Sequence, residues 1–281
     1  MNCAWNSFLG VLPPRLKQRV DMLGKAELEE LRLRKGQPIE LVVGRKSMLI
    51  PEIATDDDIR HVVNIASNYS PWSASSISYG YLTIAGGHRI GICGQCVIKE
   101  GKVAGIKSAS SICIRVARAF HGIAKNAPSK GSLLILGPPG AGKTTLLREL
   151  IRVRSIAGSH VVVVDERGEL FPVETIFQPG ARTDVLCGCS KAQGVDMALR
   201  TMGPTCIAVD EITAQEDCCA LMSAAWCGVE LLASAHAANT LDLSRREIYK
   251  PLCNCGLFTQ ALVLGFDKTW HLERMGACTS S

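Results

Sequence analysis

Leu133–Thr145 reads LLILGPPGAGKTT, and the order of its parts decides the fold. Four consecutive apolar residues with no polar alternation describe a strand buried on both faces. Gly137-Pro138-Pro139-Gly140-Ala141-Gly142-Lys143-Thr144 then fits G-x-x-x-x-G-K-[ST], the pattern of a loop that wraps phosphate groups between a strand and a helix. Glycines let backbone N–H groups converge on phosphate oxygens with no Cβ in the way, and the helix that follows adds its positive N-terminal end. Lys143 is placed to reach the β and γ phosphates and Thr144 offers a hydroxyl to Mg²⁺, with Thr145 completing the binding set. The expected ligand is ATP with Mg²⁺.

Downstream, strands and helices alternate: strand 132–136, helix 143–154, strand 160–165, helix 191–202, strand 206–210, helix 215–227, strand 229–235 and helix 240–248. Nearly all-apolar strands separated by helices predict a mostly parallel sheet covered on both faces. Phe258–Leu264 and Thr269–Arg274 read as a terminal hairpin. In open α/β sheets ligands bind at the carboxyl edge of the strands, so the residues at the strand ends are the candidates for chemistry. TCIAVDEI (205–212) ends in Asp210, expected to hold Mg²⁺ through its water shell, and Glu211, expected to orient and polarise the attacking water. An acid directly after the metal-holding aspartate favours hydrolysis over transfer. VVVVDERGE (161–169) carries Glu166 and Glu169 towards the metal, with ion pairing to Arg167 or Arg182 as the rival reading. Glu230–Ala235 leads into His236. A lone histidine is usually a satisfied polar group, but a third strand of the same sheet would bring this one to the γ-phosphate.

Upstream, the pattern is shorter and mixed. ELRLRK (29–34) and Ile39–Val43, split by Lys35-Gly36-Gln37-Pro38, predict a hairpin. Thr55 followed by Asp56, Asp57 and Asp58 predicts a capped helix over 56–68. Tyr81–Ala85, Arg89–Ile98 and Ile112–Val116 read as strands joined by glycine turns. A polar, turn-rich stretch at 124–131 separates this smaller α+β N-terminal domain, residues 1–124, from the P-loop domain, residues 125–281.

The 281 residues carry 47% hydrophobic and 20% charged side chains, which excludes a disordered chain. No apolar run approaches the roughly 20 residues of a spanning helix, and the N-terminus lacks the charged and apolar segments of a secretory signal. A cytoplasmic protein is expected. Its 13 cysteines therefore read as reduced thiols, and the one CxxC, Cys93–Cys96, lacks further ligands at zinc spacing. Net charge is +5. The surplus lies in residues 1–120, with 16 basic against 10 acidic groups, but aromatics are only 5% and are not interleaved with it, so nucleic acid is not the expected partner.

The order of phosphate loop, Asp165–Glu169, Leu199-Arg200, Asp210-Glu211 and His236 resembles the type II/type IV secretion ATPases, with their Walker A, Asp, Walker B and His boxes. A narrower resemblance, to the stage III sporulation AA family of endospore-forming bacteria, is carried by ELRLRKGQPIEL (29–40), YGYLTIAGGHRIGICG (79–94), SICIRVAR (111–118), VDERGEL (164–170), RTDVL (182–186) and LRTMGPTCIAVDEI (199–212). The resemblance implies a RecA-like P-loop NTPase domain and an ATPase at the cytoplasmic face of a membrane complex. It would energise a channel between mother cell and forespore, with membrane-embedded channel subunits as partners. It also implies a homo-oligomer, a hexameric ring whose N-terminal domains supply arginines to the nucleotide. Arg89, Arg115 and Arg118 are the candidates, ahead of Arg32 and Arg34. Thr213 stands after Ile212 where the resemblance leads one to expect glycine. Two other functions fit the same residues: a nucleic-acid-dependent ATPase, and a nucleotide-gated scaffold with negligible turnover.

Overall fold

Two hydrophobic patterns, alternating and uninterrupted, produce two sheets. The computed structural model describes residues 3–23, 28–44, 46–67, 80–172 and 177–275. The chain forms two compact units, residues 1–119 with 172–177, and residues 120–171 with 178–281. Residues 120–124, assigned to the first domain from sequence, cluster with the second unit.

The first unit begins with two short helices, α1 (Trp5–Gly10) and α2 (Pro14–Leu23), followed by β1 (Leu28–Arg34), β2 (Pro38–Val43), β3 (Lys46–Ile53), α3 (Asp56–Ala66), β4 (Tyr81–Thr83), β5 (Arg89–Lys99) and β6 (Lys102–Arg115). The sheet runs β3-β2-β1-β6-β5-β4 and every pairing is antiparallel. Leu31 and Leu33 of β1, Ile39 and Leu41 of β2, and Ile90 and Ile114 of β5 and β6 are fully buried and form the core with Phe8, Leu16, Ile59 and Val62. The α3 terminus is set as its sequence requires: Thr55 Oγ1 accepts from Asp58 N (3.1 Å) and Asp58 Oδ2 accepts from Thr55 N (2.7 Å). Such a cap is worth about 1 kcal/mol. The expected end of this helix at Asn68, and Tyr79 of the quoted stretch, lie outside the described residues.

Three features depart from the sequence reading. Helices α1 and α2 carry too few turns between Pro13-Pro14 and their neighbours to register as periodic segments. Strand β3 buries only Ile50 and contains Pro51, so it shows no alternation. Strand β6 starts at Lys102, not Ile112, because β5 and β6 form one long hairpin through Glu100 (φ 50°) and Gly101 (φ 75°), a turn that matches the twist of its strands. Its outer half is largely exposed and carries no hydrophobic pattern.

The second unit contains β7 (Leu133–Leu136), α4 (Lys143–Ile156), β8 (Val161–Asp165), β9 (Thr183–Cys187), α5 (Lys191–Thr201), β10 (Cys206–Val209), α6 (Gln215–Trp226), β11 (Glu230–Ala235), α7 (Thr240–Arg245), a 3₁₀ turn over Glu247–Tyr249, α8 (Lys250–Asn254), β12 (Gln260–Leu264) and β13 (Trp270–Arg274). All residues of β7, β8 and β10 are buried, which is why their sequences do not alternate. The order is β13-β12-β7-β11-β10-β8-β9, parallel throughout except for β13. This is the expected α/β, mostly parallel sheet. The terminal hairpin forms as predicted, but β12 also pairs in parallel with β7 and so becomes part of the main sheet. Strand β9 was not anticipated: it is a half-exposed edge with mixed polarity. The helix expected over 240–248 stops at Arg245, because Arg246 takes an extended conformation (ψ 120°) before the 3₁₀ turn.

Candidate active site

Strand β7 delivers the chain into the phosphate loop, and left-handed glycines turn it. Gly140 (φ 75°) and Gly142 (φ 107°) occupy backbone conformations that side chains resist. Gly142 is the N-cap of α4 and has no side chain to satisfy the first helical N–H groups, so these remain available to an anion at the positive helix end. Lys143 follows and is nearly buried. Its Nζ donates to the carbonyls of Gly137 (2.9 Å) and Pro138 (3.1 Å) and lies 2.9 Å from His236 Nδ1. Burial lowers the pKa of this ammonium, and the charges of Glu211 and Asp210 oppose that shift.

Strand β11 lies between β7 and β10, so three strand ends open side by side. Thr144 Oγ1 donates to Asp210 Oδ2 (2.8 Å), and Ser234 Oγ donates to Asp210 Oδ1 (2.6 Å). The same Ser234 oxygen accepts from Glu211 N (2.9 Å). Glu211 sits at φ 45°, an uncommon conformation for a residue with a side chain, and its Oε1 lies 2.9 Å from His236 Nε2. An ammonium can only donate, so Nδ1 of His236 accepts from Lys143 and the Nε2–H is left to donate to Glu211. The loop lysine, the strand-end histidine and the strand-end glutamate thus form one hydrogen-bonded chain. Next to it, Thr213 N (3.0 Å) and Ala214 N (3.1 Å) donate to Asp217, so the residue found in place of a glycine is held by a side-chain cap.

Beyond β10, a cleft with about 350 Å³ of open space is lined by Asp165, Glu166, Glu169, Lys191, Asp210 and Glu211, among others. Asp165 is buried and accepts from the N–H groups of Glu169, Leu170 and Phe171 (2.8–2.9 Å), which fixes the loop after β8. Burial raises its pKa, against those three hydrogen bonds. Arg148 donates from α4 to the carbonyls of Leu170 and Glu169, and burial pushes its guanidinium down to about 10, still protonated at neutral pH. Among the described residues, Glu166 pairs with Lys191 (2.5 Å), a cation that is neither of the two arginines considered from sequence, Arg167 and Arg182. Lys191 also lies 3.6 Å from Asp217.

Sequence reasoning therefore placed Lys143, Thr144, Asp210, Glu211 and His236 together, and in the structure they form two hydrogen-bonded sets, Lys143–His236–Glu211 and Thr144–Asp210, linked through Ser234. It missed Ser234 and Lys191. Ser234 is the only hydroxyl in ELLASA, and a polar atom inside a fully buried strand is a signal that it needs a partner. Lys191 opens an otherwise modestly polar helix and is nearly buried. Arg89, Arg115 and Arg118 belong to the first unit. There Arg89 stacks over Tyr81 (3.9 Å to the ring centroid) and faces Arg115 across β5 and β6. Arg115 pairs with Glu30 (3.2 Å), and Arg118 donates to the Leu28 carbonyl (2.6 Å). Arg32 and Arg34 pair with Glu30 and Glu40.

Comparison with solved structures identifies the fold. The Legionella pneumophila ATPase DotB superposes with a TM-score of 0.58 at 18% identity, covering 92% of this chain and 78% of that one. The pilus retraction motor PilT, solved with bound ADP, gives a TM-score of 0.60 at 16% identity over 89% and 76%. The chain has the fold of these two proteins. In sequence, stage III sporulation protein AA of Bacillus subtilis (strain 168) is 35% identical over 94% of this chain and 92% of its own length. The family model described as "Sporulation stage III, protein AA" matches residues 11–272, and the chain belongs to that family.

Proposed function

We propose that the protein binds ATP with Mg²⁺, hydrolyses it, and uses the cycle to drive a membrane-embedded channel complex during sporulation. The observation that carries this reading is the convergence of a phosphate loop with three strand ends, such that Lys143, His236 and Glu211 are hydrogen-bonded in series beside Thr144 and Asp210. The residues fit the ion: a hydroxyl and a carboxylate oxygen 2.8 Å apart are the hard donors Mg²⁺ takes, the rest of its shell being water and phosphate. Mg²⁺ there would neutralise charge on the β and γ phosphates.

The chain's own residues account for the rest. The N–H groups at the start of α4 hold the phosphates, and Lys143, now spent on two loop carbonyls and His236, turns to the β and γ oxygens. That movement releases Nδ1 of His236 from Lys143, and once this nitrogen carries a proton it can donate to a γ-phosphate oxygen. Glu211 then orients a water in line with the γ-phosphorus and takes its proton. The new P–O bond forms as the bond to the β–γ bridging oxygen breaks, giving ADP and phosphate. Glu166, held by Lys191 at the mouth of the acidic cleft, faces the same edge and tunes the metal's surroundings. Arg89, Arg115 and Arg118 supply positive charge at the γ-phosphate of a neighbouring subunit in a hexameric ring, after leaving the partners they hold in one chain. No helix among the described residues is long and apolar enough to cross a membrane; in this proposal the motor works peripherally, on the cytoplasmic side of the complex.

The test is steady-state ATP hydrolysis against protein concentration, wild type beside Glu211→Gln, with particle size measured in the same samples. A rate per subunit that rises with assembly and is abolished by the substitution supports the motor. Tight ATP binding with no turnover in assembled rings rejects hydrolysis by the protein alone.

A further inference from the structure

The last strand pair returns to the phosphate loop. Strand β12 pairs in parallel with β7 on the side away from β11, so its carboxyl end opens on the same edge as the loop. The turn from β12 into β13, residues 265–269, then lies against it. Lys268 Nζ donates to the Gly140 carbonyl. A Cβ placed on Gly137 would come within 3.0 Å of the Leu264 carbonyl, and one on Gly142 within 3.9 Å of Lys268 Cδ. The turn is internally fixed. Gly265 N donates to Thr269 O (3.0 Å), Lys268 N to Gly265 O (3.2 Å), and Asp267 accepts from Thr269 N (3.1 Å) and Thr269 Oγ1 (2.7 Å). Lys268 is held at φ 68°. On this braced turn Phe266 is 65% exposed, a large apolar ring kept in water beside a loop built for phosphate.

The polarity of the site decides what that ring meets. Thr144–Asp210, Glu211 and His236 lie on the β11 and β10 side of β7, and they define the end where the metal and the terminal phosphate belong. Strand β7 has two neighbours, and the other is β12. We propose that the 265–269 turn is the base-side wall of the nucleotide site. Phe266 stacks on the face of the base, and Lys268 exchanges the Gly140 carbonyl for an oxygen of the phosphate chain. The assignment rests on the nucleotide reading above and deepens it by naming where the nucleoside goes. Every base offers a π face, so a phenyl platform with no hydrogen-bonding side chain at its tip holds purine nucleotides with little choice between adenine and guanine.

Calorimetric titration of the full chain with MgATP and with magnesium tripolyphosphate, which has no base or ribose, separates this assignment from the reading beneath it. Phe266→Ala is expected to weaken ATP about tenfold to a hundredfold and to leave tripolyphosphate unchanged, the size of effect that loss of one base stack gives. Phe266→Trp is expected to keep ATP affinity, and wild type is expected to bind ATP and GTP within a fewfold of each other. Unchanged ATP affinity in Phe266→Ala, or an equal loss for both ligands, overturns the base-side assignment while leaving the phosphate loop reading in place. Failure of wild type to bind either ligand overturns both.

Discussion

Replacing Ser234 by alanine removes one oxygen from the centre of the site. That oxygen is fully buried and does two things: it donates to Asp210 Oδ1 at 2.6 Å and accepts from Glu211 N at 2.9 Å. A hydrogen bond to a charged group contributes about 1.5–3 kcal/mol, and a buried N–H left without an acceptor costs about 1–3 kcal/mol. Asp210 keeps Thr144 Oγ1 as a donor at 2.8 Å, which limits the first loss. The expected destabilisation is therefore about 2–3 kcal/mol, or roughly 4–12 °C in the melting of a domain of this size. Urea unfolding at constant slope checks the stability change. Hydrolysis measured against Mg²⁺ concentration checks the function, since Asp210 loses the group that fixes its rotation and the half-saturating Mg²⁺ should rise. A Ser234→Ala protein within 0.5 kcal/mol of wild type, with an unchanged Mg²⁺ requirement, would show that this hydroxyl does not hold the strand ends in place.

Gly194→Ala should destabilise by about 1–2 kcal/mol even though alanine is the better helix former, because its Cβ would meet Val164 Cγ1 at 2.3 Å and Val164 Cγ2 at 3.1 Å, so rotating the valine gives no relief; the urea midpoint reads the sign. Lys191→Met should cost about 2–4 kcal/mol by leaving the nearly buried Asp217 and the carboxylate of Glu166 without their cation, whereas Lys191→Arg should recover part of it; urea unfolding of the two variants side by side separates charge from packing. His88 is fully buried, accepting from Ala117 N through Nδ1 (3.0 Å) and donating from Nε2 to the Ala4 carbonyl (2.9 Å), and burial holds its imidazole pKa below the usual value. The unfolded chain takes up this proton near pH 6.5 while the folded chain does not, so stability should fall by up to about 1.4 kcal/mol per pH unit below that point, until the folded pKa is reached. The pH dependence of the urea midpoint between pH 7.5 and 5.5 should be shallower in His88→Gln, and equal slopes would reject the assignment.

Much of the second unit was legible because its signals are local. An apolar run, a glycine loop with lysine and a helix follow one another within Leu133–Ile156, and an acid after a buried strand marks Asp210. What stayed hidden depends on partners distant in sequence. Strand β9 carries Thr183-Asp184-Val185-Leu186-Cys187, which no period identifies until β8 lies beside it. Ser234 reads as one small residue among several, and only the juxtaposition with Asp210, 24 residues away, gives its hydroxyl a task. Glu166 was expected towards the metal, with ion pairing to Arg167 or Arg182 as the alternative, while the cation it pairs with is Lys191 at the head of a later helix. In the first unit, β3 and the outer half of β6 are strands by pairing alone, since their side chains face water and leave no alternation to read.

The strand order gives these residues a common cause. Adjacent strands lie about 4.8 Å apart, so with β11 between them β7 and β10 are separated by about twice that distance. A loop leaving β7 and an acid leaving β10 would face each other across that gap with nothing between. Strand β11 fills it with two polar groups two residues apart, Ser234 within the strand and His236 just past it. Ser234 holds Asp210 and the backbone of Glu211, and His236 joins Lys143 to the Glu211 carboxylate. Moving β11 elsewhere in the sheet would leave every motif in the sequence intact and still separate the lysine from the glutamate. For that reason Ser234 and His236 should behave as a coupled pair: the double substitution to alanine should cost less hydrolysis than the product of the two single losses, because each removes one support of the same Glu211 geometry.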